Sequence, residues 1–143
     1  MIVDLKIVNP KLTLMPRYAT KGAAAVDLRS MRTVEIFPGQ CAQVGTGIAV
    51  HIKDDRYVGI VTPRSGVGSK GIVLKNLTGV IDSDYQGEIK LMLWNTSDKT
   101  VTVTEGSRVA QMMLMPVKRM DFNLVKEFRE ETVRGTGGFG STG

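Results

Sequence analysis

The stretch IKLMLW, residues 89–94, decides the fold class, because its strongly apolar side chains fall at every second position. The same period of two recurs in IAVHIK, residues 48–53, and in VTV, residues 101–103. Period-two alternation is typical of half-buried antiparallel strands. Helical periodicity is nearly absent, and the best helical candidate is a single turn at residues 65–70. The sequence therefore predicts an all-β chain.

Short turn-forming pairs punctuate the chain between its apolar stretches. They are Asn9-Pro10, Pro38-Gly39, Asp54-Asp55, Ser97-Asp98 and Glu105-Gly106. Many short strands with regular turns are typical of a β-sandwich or barrel. The 143 residues are enough for one domain, and 42% hydrophobic with 23% charged residues excludes a wholly disordered chain. We expect one β-sandwich domain over residues 1–133, with the glycine-rich residues 134–143 as a flexible part of it.

Composition indicates the cellular compartment of the protein and the charge of its partner. No apolar run approaches the ~20 residues that a membrane helix needs, and the N-terminal MIVDLKIVNP lacks the features of a signal peptide. The single cysteine, Cys41, forms neither an internal disulfide nor a cysteine-rich zinc site. These features predict a cytoplasmic protein, the host cytoplasm if the chain is viral. A net charge of +5 predicts a polyanionic partner.

The first polar segment with chemical potential is PRSGVG, residues 63–68, which follows a predicted strand at residues 57–61. Arg64 offers a fork of donors, Ser65 offers a hydroxyl, and the glycines let a ligand approach the backbone. Backbone N–H groups in such a turn form an anion-binding concavity. The alternative is an ordinary β-turn with a solvent-facing arginine.

The second segment is GVIDSDYQGE, residues 79–88, which lies between two apolar stretches and looks like a hairpin with an acidic tip. An ionised aspartate there can take a proton from water, and Tyr85 offers a flat face to a sugar or base. The alternative is a polar tip stabilised by Asx-type turn bonds.

The third segment is the tail RGTGGFGSTG, residues 134–143, in which five of the ten residues are glycine. Such a segment is costly to order and predicts a mobile end. Arg134 suits a phosphate and Phe139 suits stacking on a base, while Ser141 and Thr142 add hydroxyls. The alternative is a disordered end without function. Taken together, the three segments predict a ligand with phosphates, a sugar and a base.

Five ordered motifs resemble those of the trimeric dUTPases, over essentially the whole chain. They are AAVDLRS at 24–30, PRSG at 63–66 with Gly71-Ile72, GVIDSDYQG at 79–87, GSRVAQ at 106–111, and RGTGGFGSTG at 134–143. Ala25 replaces a usual glycine, Ser107 replaces a frequent aspartate, and motif two is about one residue short.

The resemblance implies a jelly-roll-type β-sandwich or distorted barrel that forms a homotrimer, with active sites at subunit interfaces. Motifs one, two and four would come from one subunit, motif three from a second, and motif five from a third as a lid. Residues 122–128 would cross over a neighbour.

The same resemblance implies an enzyme, a dUTP diphosphatase. It would convert dUTP to dUMP and pyrophosphate, limiting uracil in DNA and supplying dUMP for thymidylate synthesis. Asp82 would activate the attacking water, and Asp27 would hold Mg²⁺ through water. The substrate-binding residues implied are Arg64, Ser65, Gly66, Asn76, Gly79, Val80, Ile81, Tyr85, Gln111, Arg134, Phe139, Gly140, Ser141 and Thr142. Of these, Asn76 and the backbone of residues 79–90 would recognise uracil.

Three alternatives remain open at this point. A dCTP deaminase would share the fold, although the intact motif three argues against it. A nucleotide-sensing regulator or protein-binding module would keep nucleotide binding and add a partner. A nucleic-acid-binding barrel would account for the charge, but the chain has only one Trp, three Tyr and four Phe, which do not cluster with basic residues. We expect neither a nucleic-acid nor a membrane partner.

Overall fold

The computed structural model describes residues 1–140 and is almost entirely β-structure. Its elements are β1 (Asp4–Ile7), β2 (Val26–Arg29), β3 (Val34–Ile36), β4 (Cys41–His51), β5 (Tyr57–Pro63), α1 (Ser65–Gly68), β6 (Ile72–Leu74), β7 (Gly79–Ile81), β8 (Glu88–Asn95), β9 (Val101–Val103) and β10 (Arg108–Pro116). The predicted all-β class is confirmed, and the single helical turn falls where the sequence predicted one.

Two four-stranded antiparallel sheets face each other across the core. One has the order β1-β4-β8-β6 and the other β2-β10-β5-β7, while β3 and β9 form a separate pair. The core side chains come from both large sheets and from the pair: Leu28, Ile36, Val44, Ile48, Val50, Val61, Ile72, Leu74, Ile89, Leu91, Leu93, Val103, Val109 and Ala110. Burying each Val, Leu or Ile stabilises the fold by about 1.5–3 kcal/mol. The predicted sandwich is therefore built around one core.

The alternation predicted for β8 is present, whereas that predicted for residues 48–53 is interrupted. In β8, Ile89, Leu91 and Leu93 are buried and their neighbours are more exposed. In β4, every residue from 46 to 50 is buried. The physical reason is a bulge, since Gly45 lies opposite Lys90 but Ala49 lies opposite Glu88. A bulge inserts extra residues on one strand and breaks its period of two.

The hairpin predicted at residues 79–88 is wrong, because the strands on either side of the loop belong to different sheets. β7 pairs with β5, with Gly59 opposite Ile81, while β8 pairs with β4 and β6. The pairing of β7 with β5 depends on close approach, since a Cβ added at Gly59 would lie 3.1 Å from the Ile81 Cβ. Residues 82–87 are therefore a crossing between the two sheets.

Residues 117–140 follow the last strand and add nothing to the core. Most of their large apolar side chains are strongly solvent-exposed, with Phe122 at 88%, Leu124 at 99% and Phe128 at 90%, whereas Val117 and Val125 are 42% and 43% exposed. This exposure is compatible with a segment that covers a neighbouring subunit, which stays a prediction. Within the described residues, no helix combines the length and apolarity needed to span a membrane.

Candidate functional site

Motifs one, two and four meet on one flank of the β2-β10-β5-β7 sheet. β10 lies between β2 and β5, so Gln111 is opposite Asp27 on one side and Thr62 on the other. Arg64 follows β5 directly, and its Nε lies 2.6 Å from Asp27 Oδ1. Gln111 Nε2 donates to the Pro63 carbonyl at 3.3 Å. The register of three strands thus brings together three of the predicted site residues. We call these three residues, together with Arg108, the arginine cluster (Asp27, Arg64, Arg108 and Gln111).

Arg108 completes this cluster and is the residue that the sequence analysis did not select. Its guanidinium Nη1 lies 3.3 Å from Asp27 Oδ2, so one carboxylate is shared by two arginines. The Asp27 side chain is only 22% exposed. Two positive charges against one negative charge leave the cluster with an excess of positive charge, which favours an anionic ligand. The only feature of the sequence that pointed to Arg108 was its position inside the fourth motif, GSRVAQ at residues 106–111.

The glycine-containing turn lies directly beside the arginine cluster. Arg64 is extended and precedes α1, and its carbonyl accepts hydrogen bonds from the N–H groups of Val67 and Gly68. Ser65 and Gly66 are exposed, and a Cβ added at Gly66 would meet no atom within 4 Å. The space beside this turn is therefore open to a ligand.

Two clefts flank the cluster, and Arg108 lines both. One, of about 470 Å³, is lined by Asp27, Arg29 and Arg108 together with residues 14–19. The other, of about 360 Å³, is lined by Arg64, Gly66 and Arg108 among others. Both volumes lie in the range of roughly 300–1,000 Å³ that is usual for small-molecule sites. The cluster thus sits between two openings large enough for a nucleotide.

The candidate base, Asp82, begins the crossing between the two sheets and is exposed. Its carbonyl accepts the Tyr85 N–H at 3.2 Å, and the next carbonyl, that of Ser83, accepts the N–H groups of Ile52 and Lys53, both at 3.2 Å. The Tyr85 hydroxyl donates to the Glu88 carbonyl at 3.1 Å. Backbone contacts therefore hold the loop while the Asp82 carboxylate faces solvent.

A single chain does not bring Asp82 to the arginine cluster. β5 ends beside Arg64, whereas Ile81 is opposite Gly59 near the start of that strand. Five residue steps from Gly59 to Arg64, at ~3.4 Å each, correspond to roughly 17 Å. The two predicted halves of the site thus lie at opposite ends of β5.

Asn76 lies in the connection that leads into β7. Its side-chain amide donates to the Thr78 carbonyl at 3.2 Å, and the Thr78 N–H donates to the Asn76 carbonyl at 2.6 Å. The residue between them, Leu77, has a φ of 60°, so a tight three-residue turn precedes the strand. Gly79, Val80 and Ile81 form β7, the last strand in its sheet among the described residues.

In the described part of the tail, residues 134–140, the hydrogen bonds are all local. Arg134 Nε donates to the Gly137 carbonyl at 3.0 Å, and the Gly137 N–H donates to the Arg134 carbonyl at 3.0 Å. Phe139 and Gly140 are exposed. Within the same chain, residues 134–140 therefore form no hydrogen bond with either half of the site. The predicted residues Ser141 and Thr142 lie outside the described residues.

The acidic residues fit an indirectly held Mg²⁺ ion better than a directly bound one. Residues 1–140 contain no group of three or more His, Cys, Asp or Glu side chains arranged to hold a metal. The arginine cluster has one carboxylate, that of Asp27, which already pairs with two arginines. Because Mg²⁺ keeps several waters and binds phosphate oxygens, one carboxylate is a sufficient protein contribution.

Comparisons with known proteins agree with this arrangement of motifs. A family model described as dUTPase matches residues 13–143. A curated relative from Acinetobacter baumannii, named deoxyuridine 5′-triphosphate nucleotidohydrolase, is 48% identical over 100% of this chain and 99% of its own length. The Staphylococcus bacteriophage 80alpha dUTPase, solved with dUpNHpp, is 29% identical with a TM-score of 0.89, over 99% of this chain and 98% of its own. A mutant dUTPase from phage phi11 of S. aureus, described with the coordination of a structural Mg(II) ion, is 26% identical with a TM-score of 0.81, over 91% of this chain and 100% of its own.

Proposed function

Because the chain belongs to the dUTPase family, we propose that it is an enzyme that hydrolyses dUTP to dUMP and pyrophosphate. The observation that carries the proposal is the convergence of Asp27, Arg64 and Gln111 from three separate strands or their ends. Together with Arg108, which pairs with the same carboxylate, this convergence places an excess of positive charge beside an open glycine turn, which is the chemistry that a triphosphate requires.

The phosphates would bind at the arginine cluster. Arg64, Ser65, Gly66 and Gln111 would donate to the α- and β-phosphate oxygens. The Asp27 carboxylate holds the Arg64 guanidinium before substrate arrives, since Nε and Oδ1 lie 2.6 Å apart. Donors that are fixed in advance need little reorganisation during the reaction.

The chemical step would use the exposed carboxylate of Asp82. It takes a proton from a water molecule, and the water oxygen forms a bond to the α-phosphorus. The bond from the α-phosphorus to the oxygen bridging the α- and β-phosphates breaks, and pyrophosphate leaves. A positioned general base contributes typically ~10²–10⁴-fold to the rate.

The base and the sugar would be recognised along β7 and its loop. β7 is a terminal strand among the described residues, so its outward N–H and C=O groups are available to the uracil edge. Asn76 precedes this strand and would add a side-chain amide. The Tyr85 ring, anchored by its hydroxyl to the Glu88 carbonyl, would pack on deoxyribose and exclude a 2′-hydroxyl.

Mg²⁺ would be held through water by Asp27. When bound, the ion neutralises phosphate charge and fixes the phosphate geometry. The contribution of the chain is a single carboxylate that two arginines already orient.

A homotrimer would unite the two halves of the site. The roughly 17 Å along the strand from Arg64 to Gly59, which lies opposite the residue before Asp82, supports a site shared between chains. One chain would supply Asp27, Arg64 and Gln111, and a second would supply Asp82.

The exposed apolar side chains of residues 117–133 would cover a neighbour. Residues 134–143 of a third chain would close over the substrate, with Arg134 and the predicted Ser141 and Thr142 on the γ-phosphate, and Phe139 and Gly140 on uracil.

The deciding experiment measures pyrophosphate release from dUTP, dTTP, dCTP and UTP, with and without Mg²⁺. We expect release from dUTP alone, and faster release with the ion. Ammonia from dCTP would instead identify a deaminase, and tight dUTP binding without turnover would identify a regulator.

A further inference from the structure

The bulge in β4 is closed by the side chain of one acidic residue, Glu88. Between the paired positions Gly45 and Ala49, β4 has three residues where β8 has one. Gly47, at the centre of the bulge, is buried and has a φ of 73°, a conformation that favours glycine. Its N–H donates to Glu88 Oε1 at 3.0 Å. The carboxylate therefore replaces the strand partner that the bulge removes.

The fit between this carboxylate and β4 is close. A Cβ added at Gly45 would collide with Glu88 Oε1 and lie 3.1 Å from its Cδ. Within the bulge, Thr46 Oγ1 donates to the Ile89 carbonyl at 2.7 Å. These contacts fix the position at which β8 begins.

Glu88 also contacts the loop that contains Asp82 and Tyr85. Its backbone carbonyl accepts the Tyr85 hydroxyl at 3.1 Å. A Cβ added at Gly87 would lie 2.6 Å from the Tyr85 Cζ, so the ring lies tightly over the backbone next to Glu88. One residue thus joins the bulge in β4 to the phenol ring assigned to the deoxyribose.

We propose that Glu88 is a positioning residue, which sets the placement of Tyr85, and with it the Asp82 loop, by anchoring the start of β8 in the β4 bulge. The inference rests on the proposed function. Glu88 touches neither substrate nor reacting atoms in this scheme, because its carboxylate is directed into the bulge. Its effect is on the geometry of the loop, where a misplacement of about 1 Å can lower a rate roughly a hundredfold.

Three variants perturb the same carboxylate in different ways. Glu88→Ala removes it, and Glu88→Gln keeps an oxygen that accepts the Gly47 N–H. Gly45→Ala leaves Glu88 in the chain but displaces its carboxylate, and it folds readily because the collision is with the end of a flexible side chain. Glu35→Ala is the matched control, since Glu35 is an exposed glutamate on β3.

The measurements are kcat for dUTP, the ratio of kcat/KM for dUTP to that for UTP, and the melting temperature. We expect Glu88→Ala to lower kcat roughly tenfold to a hundredfold and to lower the dUTP/UTP ratio. Gly45→Ala should lower kcat and the dUTP/UTP ratio too, but by less than Glu88→Ala does. Glu88→Gln and Glu35→Ala should stay near the wild-type values.

The inference is overturned if Glu88→Ala lowers the melting temperature but leaves the dUTP/UTP ratio unchanged, or if it leaves both unchanged. If Glu88→Ala does not fold, the comparison of Gly45→Ala with Glu88→Gln decides, because only the former should lower the ratio. A wild-type chain without dUTP hydrolysis would instead refute the proposed function. An active wild-type chain with an unaffected dUTP/UTP ratio in Gly45→Ala refutes only the role of Glu88.

Discussion

The two ends of β5 are held in place by different forces. At the Arg64 end, charged side chains pair with each other, with Asp27 shared between Arg64 and Arg108 at 2.6 and 3.3 Å. At the other end, the Asp82 loop is fixed through backbone carbonyls, and no hydrogen bond within residues 1–140 engages the Asp82 carboxylate. The first end is thus ordered for binding charge, while the second leaves its reactive group free. On the proposed function, this difference places phosphate binding at one end and the chemical step at the other.

The sharpest way to test this division is Asp82→Asn. We expect kcat to fall roughly 10²–10⁴-fold, because the amide cannot take the proton from water. Substrate affinity should change little, since Asp82 is assigned to the attacking water, while the arginine cluster is assigned to the phosphates and β7 to the base. The measurements are steady-state turnover and binding of dUTP by calorimetry, with Asp98→Asn as a control at an exposed turn. Equal turnover in Asp82→Asn and wild type would refute the assignment of the base.

A second test asks whether the two ends act on the same substrate only across chains. Arg64→Ala and Asp82→Asn chains, each inactive alone, are denatured and refolded together at equal amounts. In a ring of identical interfaces, about a quarter of the sites then receive an intact Arg64 from one chain and an intact Asp82 from another. We expect about a quarter of the wild-type rate. The control replaces the first chain with the double variant, which supplies neither group and should restore nothing. Persistent inactivity in verified mixed oligomers would contradict the shared site.

A third test removes residues 134–143, of which the described residues 134–140 form only local hydrogen bonds in their own chain. Because residues 134–140 are exposed and bonded only locally, the melting temperature should stay unchanged. Turnover should fall roughly tenfold to a hundredfold, since lid closure completes the site and orients the substrate. The substitution Phe139→Ala is the milder companion. A truncated protein with full activity would refute the lid.

The smallest expected effect concerns Asp54, in the turn before β5. Hydrogen bonds from the Arg56 side chain and backbone lower the pKa of Asp54 to about 2, from an ordinary value of 3.8. Because the folded pKa is the lower one, the resulting stability is present above about pH 4 and is lost as the pH falls towards about 2. NMR titration of the Asp54 carboxyl measures this directly. A pKa near 3.8 would contradict it, and Arg56→Ala should raise the pKa only part of the way to that value, because the backbone N–H of residue 56 still donates to Asp54.

The sequence predicts local structure well where one signal acts alone. The alternation of Ile89, Leu91 and Leu93 predicts β8, and the glycines of residues 65–70 limit the helix to one turn. The family motifs select Asp27, Arg64 and Gln111, which the structure brings together. Their meeting was not readable from spacing, because it depends on β10 pairing with both β2 and β5.

Features that depend on pairing between strands far apart in the chain cannot be predicted from local sequence patterns. The loop at residues 82–87 has the composition of a hairpin tip, but β7 pairs with β5 because Gly59 allows close approach. Arg108 gains its partner only through the register of β10 with β2. The bulge at residues 45–49 is invisible to a period-two pattern, since it inserts residues whose side chains are all apolar or small. In each case the decisive neighbour is far away along the chain.

The length of β5 has a consequence for how the enzyme responds to dilution. On the proposed trimer, a complete site exists only while chains are associated, since within each chain Ile81, the residue before Asp82, lies opposite Gly59, roughly 17 Å along the strand from Arg64. Specific activity then becomes a function of protein concentration, and falls once the enzyme is diluted below the dissociation constant of the assembly. Substrate that bridges two chains opposes this dissociation by mass action. The nucleotide would therefore also stabilise the assembly, so that the trimer resists dissociation best when its substrate is abundant.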